Sequence, residues 1–209
     1  MADLADIAAL SWPKRTERLL VRPAVEADLP AMWQIRRQES VGRWMGSTSH
    51  DFAAFAEFIK TPERMGVTFV IERDGQVIGD LMLAPESPWS QVEVADRALG
   101  VQAEIGWCLD PASEGNGYAT EAVAELVRVA FEELGLRRLV AHCFAANEPS
   151  WRLMERLGMR REAHTVKESL HRSGEWMDGF SYGLLAEEWE RARHRGTAAS
   201  TTGSSRSEG

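Results

Sequence analysis

A stretch that combines a strand, a glycine turn and a helix constrains the fold of this chain more than any other feature. The apolar run 104–109 reads as a strand that ends before Pro111, because proline cannot continue a sheet ladder. Gly115 and Gly117 then let the backbone turn, and residues 117–131 carry apolar side chains at helical spacing. Free N–H groups in a first helical turn attract anions, so the stretch predicts either a phosphate site or a plain glycine connection.

Two nucleotide-binding motifs fit this stretch poorly. A Walker loop ends in Gly-Lys-Ser/Thr, whereas Tyr118 and Ala119 follow the glycine here. A dinucleotide fingerprint needs a third glycine, where Thr120 stands, and an acidic residue in the following strand. The next predicted strand, residues 137–144, contains no Asp or Glu. Both alternatives are therefore weakened.

A third motif matches better. Residues 114–119, Glu-Gly-Asn-Gly-Tyr-Ala, resemble the acyl-CoA loop of the GCN5-related N-acetyltransferases (the GNAT family), Gln/Arg-x-x-Gly-x-Gly/Ala. Residues 147–159 resemble the second signature of that family. The segments 16–23, 174–178 and 185–189 resemble the beginning and the end of its RimJ/RimL-like branch. The resemblance covers residues 16–192, with the motifs in family order.

The resemblance implies an α+β (mixed αβ) fold, the acyl-CoA N-acyltransferase fold of the family. This fold is a mostly antiparallel sheet of about seven strands, flanked by helices, with two splayed central strands, here residues 104–109 and 137–144. We expect one domain over residues 16–195, a flexible leader over residues 1–15 and a disordered tail over residues 196–209, which is rich in Ser, Thr, Gly and Ala. We interpret the long irregular segment 84–102 as a substrate flap.

The resemblance also implies acetyl transfer from acetyl-CoA to an amine by direct attack. The glycine loop would bind the pyrophosphate, and a backbone N–H of the first splayed strand would bind the thioester oxygen. Asn147 and Ser150 match positions that contact the pantetheine arm, although Asn147 equally suits a helix N-cap. The expected coenzyme A-binding residues are Trp107, Cys108, Leu109, Glu114, Gly115, Asn116, Gly117, Tyr118, Ala119, Thr120, Asn147 and Ser150.

Catalysis by this route needs a base, because a free amine is mostly protonated at neutral pH. Glu104 is the first candidate and Glu168 the second. The alternative for each is an ordinary strand residue without a catalytic role. Many relatives carry a tyrosine that donates a proton to the leaving thiolate, and Met154 stands at that position here. Either Ser150 donates the proton instead, or the thiolate leaves without a general acid. Glu114 departs from the family's Gln/Arg and places a negative charge near the phosphates.

Composition bounds the remaining questions. The 209 residues carry a net charge of −8, which disfavours nucleic acid and anionic membranes as partners. Two cysteines make no disulfide framework, and the histidines lack metal-ligand spacing, so we expect a cytoplasmic enzyme without a metal. The acceptor would be a protein N-terminus or a small amine, amino acid or antibiotic, and the protein a monomer or homodimer. A non-catalytic CoA-binding sensor or interaction module is the alternative function.

Overall fold

The computed structural model describes residues 2–202, with side chains described up to residue 195. The described residues contain eight strands in one sheet, with the order β1-β2-β3-β4-β5-β6-β8-β7. The strands are β1 Lys14–Arg15, β2 Leu20–Pro23, β3 Thr68–Arg73, β4 Gln76–Glu86, β5 Gln102–Leu109, β6 Arg138–Phe144, β7 Arg160–Leu170 and β8 Trp176–Leu185. The predicted mixed, mostly antiparallel sheet is confirmed, and the two-residue β1 adds one strand to the number expected.

Helices cover both faces of this sheet. They are α1 Leu4–Ala9, α2 Leu29–Arg36, α3 Glu39–Gly42, α4 Phe52–Ile59, α5 Pro62–Met65, α6 Tyr118–Arg128, α7 Glu148–Arg156 and α8 Ala186–Thr202. On β3, Phe69 and Ile71 belong to the core that contains the buried side chains of α6, whereas Val70 packs with α2 and α4. Because successive strand residues face opposite sides, α6 lies on one face of the sheet and the α2–α4 pair on the other.

The sheet opens at its centre. β5 and β6 are the parallel pair, and their register comprises Gln102 with Arg138, Ala103 with Leu139 and Glu104 with Val140. After this point β5 continues to Leu109 and β6 to Phe144, but the two strands no longer pair with each other. The pairing therefore leaves a wedge-shaped cleft between the carboxyl halves of the two strands, at the position expected from the sequence.

Residues 2–15 differ from the flexible leader expected over residues 1–15. Asp3 caps α1 by accepting hydrogen bonds from the backbone N–H groups of residues 5 and 6, and Ile7 on that helix is only 2% exposed. Trp12 packs on Phe69 with ring centroids 4.8 Å apart, and β1 pairs with β2. This segment packs onto the sheet because Ala2 and Ile7 are buried in the main core and Trp12 packs against it.

Two further predictions concern the tail over residues 196–209 and the substrate flap over residues 84–102. The last helix, α8, extends past residue 195, where we expected a disordered tail to begin, and residues 203–209 lie outside the described residues. In the predicted flap, β4 continues to Glu86 and a 3₁₀ helix occupies Val92–Ala98. The role of this segment stays a prediction.

Candidate active site

Two cavities meet at the cleft between β5 and β6. The first cavity has a volume of about 550 Å³ and lies between the glycine loop, β5, α7 and the segment that follows α2. The second cavity has a volume of about 660 Å³ and lies beside β5 and β6 on the side of α2, α4 and α5. Five residues line both cavities and so mark their junction: Trp44, Met45, Trp107, Asn147 and Ser150.

The first cavity contains nearly all of the predicted coenzyme-binding residues. Of the twelve, all except Asn116 line it. Asn116 instead shapes the loop, because its side-chain amide donates hydrogen bonds to the carbonyls of Ser113 and Glu114, at 3.3 and 2.9 Å. The structure therefore brings eleven of these residues together around one cavity.

The glycine loop adopts a conformation that suits an anion. Gly115 and Gly117 have φ values of +77° and +79°, a region that other residues rarely adopt, and Gly117 immediately precedes α6. Arg18, in the connection between β1 and β2, supports the loop by donating to the Asn116 carbonyl at 3.0 Å, and it also pairs with Glu121 at 2.6 Å. The free N–H groups at the start of α6 and this fixed turn form a cradle of the kind that binds a pyrophosphate.

The direction of the backbone N–H groups along β5 is set at its two ends. At one end the carbonyl of Val101 accepts a hydrogen bond from the N–H of Arg137, beside β6, at 2.8 Å. At the other end the N–H of Asp110 donates to the carbonyl of Ile78 on β4, also at 2.8 Å. Successive residues of a strand alternate, so odd-numbered residues of β5 direct their N–H groups toward β6 and even-numbered residues toward β4.

This alternation separates the three backbone donors predicted for the thioester oxygen. The N–H groups of Trp107 and Leu109 point into the cleft, whereas that of Cys108 points toward β4, where Cys108 is paired with Asp80. Trp107 lies at the junction of the two cavities, and Leu109 lines only the first. Trp107 is therefore the best-placed backbone donor, and Cys108 is not available for that role.

Asn147 and Ser150 enter the junction from the start of α7. Asn147 occupies the N-cap position, but its side chain makes no capping hydrogen bond. The Asn147 amide is thus available to a ligand. A role as helix N-cap does not explain the presence of this amide, since its side chain does not cap the helix. The Ser150 hydroxyl lies beside the thiol of Cys143 and shifts the pKa of that thiol downward, against the larger effect of burial.

Glu104 lines the second cavity at the point where the β5–β6 pairing ends. Burial raises the pKa of this carboxyl, and the negative charge of Glu86 acts in the same direction, whereas His142 lowers it. A carboxylate with a raised pKa beside a cleft has the properties of a general base. The Nδ1 atom of His142 is 3.0 Å from the hydroxyl of Ser181.

The second candidate base and a tyrosine general acid are both absent from the junction of the two cavities. Glu168 is exposed and lines neither cavity, because it lies on β7, at the edge of the sheet, beside a bulge where Lys167 has a φ of +48°. Met154, which stands where relatives carry a tyrosine, is 1% exposed in the core. The hydroxyl of Tyr182 donates to Glu155 at 2.9 Å and lies away from both cavities.

A buried ion pair supports the second cavity. Arg36 and Asp80 form a bidentate pair, with Nε to Oδ2 at 2.9 Å and Nη2 to Oδ1 at 2.5 Å, and Asp80 is 2% exposed. The thiol of Cys108 donates to the same carboxylate at 3.0 Å. Burial and the charge of Asp80 raise the pKa of this thiol, so it stays protonated at neutral pH.

Several polar residues of the two cavities were missed from the sequence. Arg156 is the one basic side chain among the described residues that line the first cavity. In the second cavity the missed residues are Arg36, Arg64, Asp80 and His142. For Asp80 a signal was available, since a lone carboxylate stands inside the apolar strand run 77–83.

Comparison with known proteins identifies the family. Residues 18–160 match the model of the Acetyltransferase (GNAT) domain. The Bacillus subtilis "Uncharacterized N-acetyltransferase YnaD" is 29% identical over 83% of this chain and 97% of its own length. The B. subtilis "Putative ribosomal N-acetyltransferase YdaF" is 37% identical over 75% of this chain and 84% of its own. The solved structure of Mycobacterium smegmatis RimJ in complex with CoA-disulfide is 25% identical, with a TM-score of 0.67, over 87% of this chain and 89% of RimJ.

The fold, the two cavities and the glycine loop define an acyl-CoA-dependent transferase. The chain belongs to the GNAT family of N-acetyltransferases, whose members use acetyl-CoA, and the predicted resemblance to the RimJ/RimL-like branch is confirmed. Within the described residues, no helix combines the length and apolarity needed to cross a membrane. Over the same part of the chain, no group of three His, Cys, Asp or Glu side chains is arranged to hold a metal ion.

Proposed function

We propose that this N-acetyltransferase acetylates a primary amine, a protein N-terminal α-amine first among the candidates, by direct attack on acetyl-CoA. Coenzyme A would occupy the first cavity and the acceptor the second. The observation that carries the proposal is that Trp107, Asn147 and Ser150 line both cavities where β5 and β6 part. The name of the relative YdaF, a putative ribosomal N-acetyltransferase, favours a protein acceptor.

The residues of the first cavity fit coenzyme A. A pyrophosphate needs several hydrogen-bond donors and a close backbone approach, which Gly115, Gly117 and the first turn of α6 provide. The side-chain charges at this cavity are balanced, since Glu114 and Arg156 are its one acidic and one basic side chain among the described residues. Main-chain donors and Arg156 would thus offset the unfavourable Glu114.

The groups at the junction divide the chemical work. Glu104 would accept the proton of the attacking amine, directly or through a water. The N–H of Trp107 would donate to the thioester oxygen as negative charge develops there. The Ser150 hydroxyl would donate to the leaving sulfur, and a thiol with a pKa near ~8.5 also leaves readily as the anion.

Neither cysteine suits an acyl-enzyme mechanism. The Cys108 thiol is buried and bonded to Asp80, and burial raises the pKa of Cys143 to about 11. The thiolate is the nucleophilic form of cysteine, and both residues hold little of it at neutral pH. This supports direct transfer between the two bound substrates.

The proposal is tested by release of free coenzyme A thiol. The protein with acetyl-CoA is expected to release thiol, above the rate of hydrolysis, with at least one member of a panel of peptides, amino acids, polyamines and aminoglycosides. Mass spectrometry of the product would place the acetyl group on nitrogen. Calorimetric binding of coenzyme A without turnover on any amine would instead favour a CoA-binding sensor or interaction module.

Replacement of Arg156 tests the assignment of the first cavity. Because charge-assisted hydrogen bonds contribute about 1.5–3 kcal/mol, Arg156→Gln is expected to raise the Kd of coenzyme A about 10-fold or more in calorimetry. Arg152→Gln is the matched control, since Arg152 lies on the same helix, pairs with Glu148 at 2.5 Å and lines neither cavity. Equal affinities of the two variants would contradict a role of Arg156 in coenzyme binding.

A further inference from the structure

The charges of the second cavity are unequally partnered. The Nε and Nη2 atoms of Arg36 both donate to the carboxylate of Asp80, so the charge of Arg36 is neutralised by a bidentate partner. Glu104 has no ion-pair partner within 4 Å among the described residues, and neither has Arg64. Apart from this internal pair, the titratable side chains that line the second cavity are the Glu104 carboxylate, the Arg64 guanidinium, the His142 imidazole and the Cys143 thiol.

Arg64 is held in place without use of its hydrogen-bonding edge. Its guanidinium carbon lies 3.6 Å from the ring centroid of Phe58 on α4, and both residues line the second cavity. The carbonyl of Arg64 accepts a hydrogen bond from the hydroxyl of Thr68 at 2.7 Å, which ties the single turn of α5 to β3. Stacking occupies the face of a guanidinium and leaves its in-plane N–H donors available to a carboxylate.

We propose that Arg64 binds an anionic group of the acceptor, so that the enzyme selects amines that also carry a carboxylate. The inference rests on the proposed function, in which Glu104 receives the amine in the same cavity. The carboxylate has two possible sources, the α-carboxylate of a free amino acid or an acidic side chain close to the N-terminus of a peptide. Either source places a negative group opposite Arg64 while the amine faces Glu104.

The same charges disfavour polycationic acceptors. A polyamine or an aminoglycoside that placed one amine at Glu104 would bring a second cationic group toward Arg64. Like charges in a partly enclosed cavity repel more strongly than in water. The net charge of −8 attracts cations to the protein as a whole. Salt screens that long-range effect within about 8 Å, so contacts inside the cavity decide between acceptors.

Paired acceptors test this selectivity and separate the two sources of the carboxylate. One pair is a peptide with aspartate at its second position and the same peptide with asparagine there. The other pair is a free amino acid and its amide. Wild type is expected to acetylate the carboxylate member of at least one pair with a kcat/KM about 10-fold higher, the size of one charge-assisted hydrogen bond. Arg64→Gln is expected to abolish the preference without a change in the Kd of coenzyme A.

Arg37→Gln is the matched control. Arg37 is also exposed and stacked, with its guanidinium carbon 4.5 Å from the ring centroid of Trp33, but it does not line the cavity. This variant is expected to keep the full preference. Arg64→Glu is expected to reverse the preference, in favour of a peptide with lysine at its second position.

Three results would overturn the inference. Acetylation of neutral or polycationic amines with no preference for the carboxylate member of either pair would reject the role of Arg64 and leave the proposed function intact. The same holds if Arg64→Gln retains a preference seen in wild type. If no amine is acetylated although coenzyme A binds, the proposed function fails and the inference fails with it.

Discussion

Replacement of Glu104 with glutamine is expected to lower kcat about 10²–10⁴-fold, the usual contribution of a positioned general base. Glutamine keeps the shape of the side chain but cannot accept the proton of the amine. The Kd of coenzyme A is expected to stay unchanged, because Glu104 lines the second cavity and not the first. Steady-state kinetics by thiol release and calorimetry measure the two quantities.

The pH profile gives this prediction a second readout. Burial raises the pKa of Glu104, so the rate in wild type is expected to rise with pH as the carboxyl ionises, and this limb is expected to disappear in Glu104→Gln. Because the pKa of this carboxyl is higher in the folded than in the unfolded protein, the carboxyl favours folding at low pH. This contribution to stability is lost as the pH rises through the pKa of the folded state. At neutral pH, Glu104→Gln is therefore expected to unfold at a temperature no lower than wild type.

Glu168→Gln is the control for this experiment. Glu168 was the second candidate base, but it is exposed and lines neither cavity, so its replacement is expected to leave kcat within about 2-fold, as for other surface substitutions. A large loss in Glu168→Gln together with full activity of Glu104→Gln would exchange the roles assigned to the two carboxylates.

The second large effect concerns stability. Asp80→Asn is expected to lower the free energy of unfolding by about 3–5 kcal/mol, because it leaves the charge of Arg36 buried without a carboxylate partner. For a domain of this size, that loss corresponds to a fall in Tm of about 6–20 °C. Thermal and denaturant unfolding measure it, and the KM of the acceptor is expected to rise as well, since both residues line the second cavity.

An exposed pair provides the comparison. Glu148 and Arg152 lie 2.5 Å apart on α7, with exposed fractions of 53% and 60% for their side chains. Glu148→Gln is expected to change the free energy of unfolding by about 0.5 kcal/mol or less, since solvent-exposed ion pairs contribute little. A loss in Asp80→Asn no larger than in Glu148→Gln would show that the buried pair does not hold α2 onto β4.

The sequence by itself determined the class of the protein and most of the first cavity. Local sequence rules specify β5, the glycine turn and α6. Proline ends the hydrogen-bonded strand, glycine permits a positive φ in the turn, and the helical spacing of apolar residues defines the buried face of α6. The residues proposed to contact the coenzyme lie on one continuous segment and on the start of α7. Motifs of a few residues were therefore sufficient to locate them.

The tertiary structure decided what short motifs do not encode. The second cavity collects residues from α2, α5, β4, β5 and β6, so Arg36, Arg64 and Asp80 meet through packing rather than spacing. Likewise, the sequence ranked Glu104 before Glu168 as the candidate base, but only the sheet shows that one lies at the cleft and the other on an edge strand. Local sequence specifies the helices and strands, whereas the order of strands in the sheet determines which side chains share a cavity and which charges lack a partner.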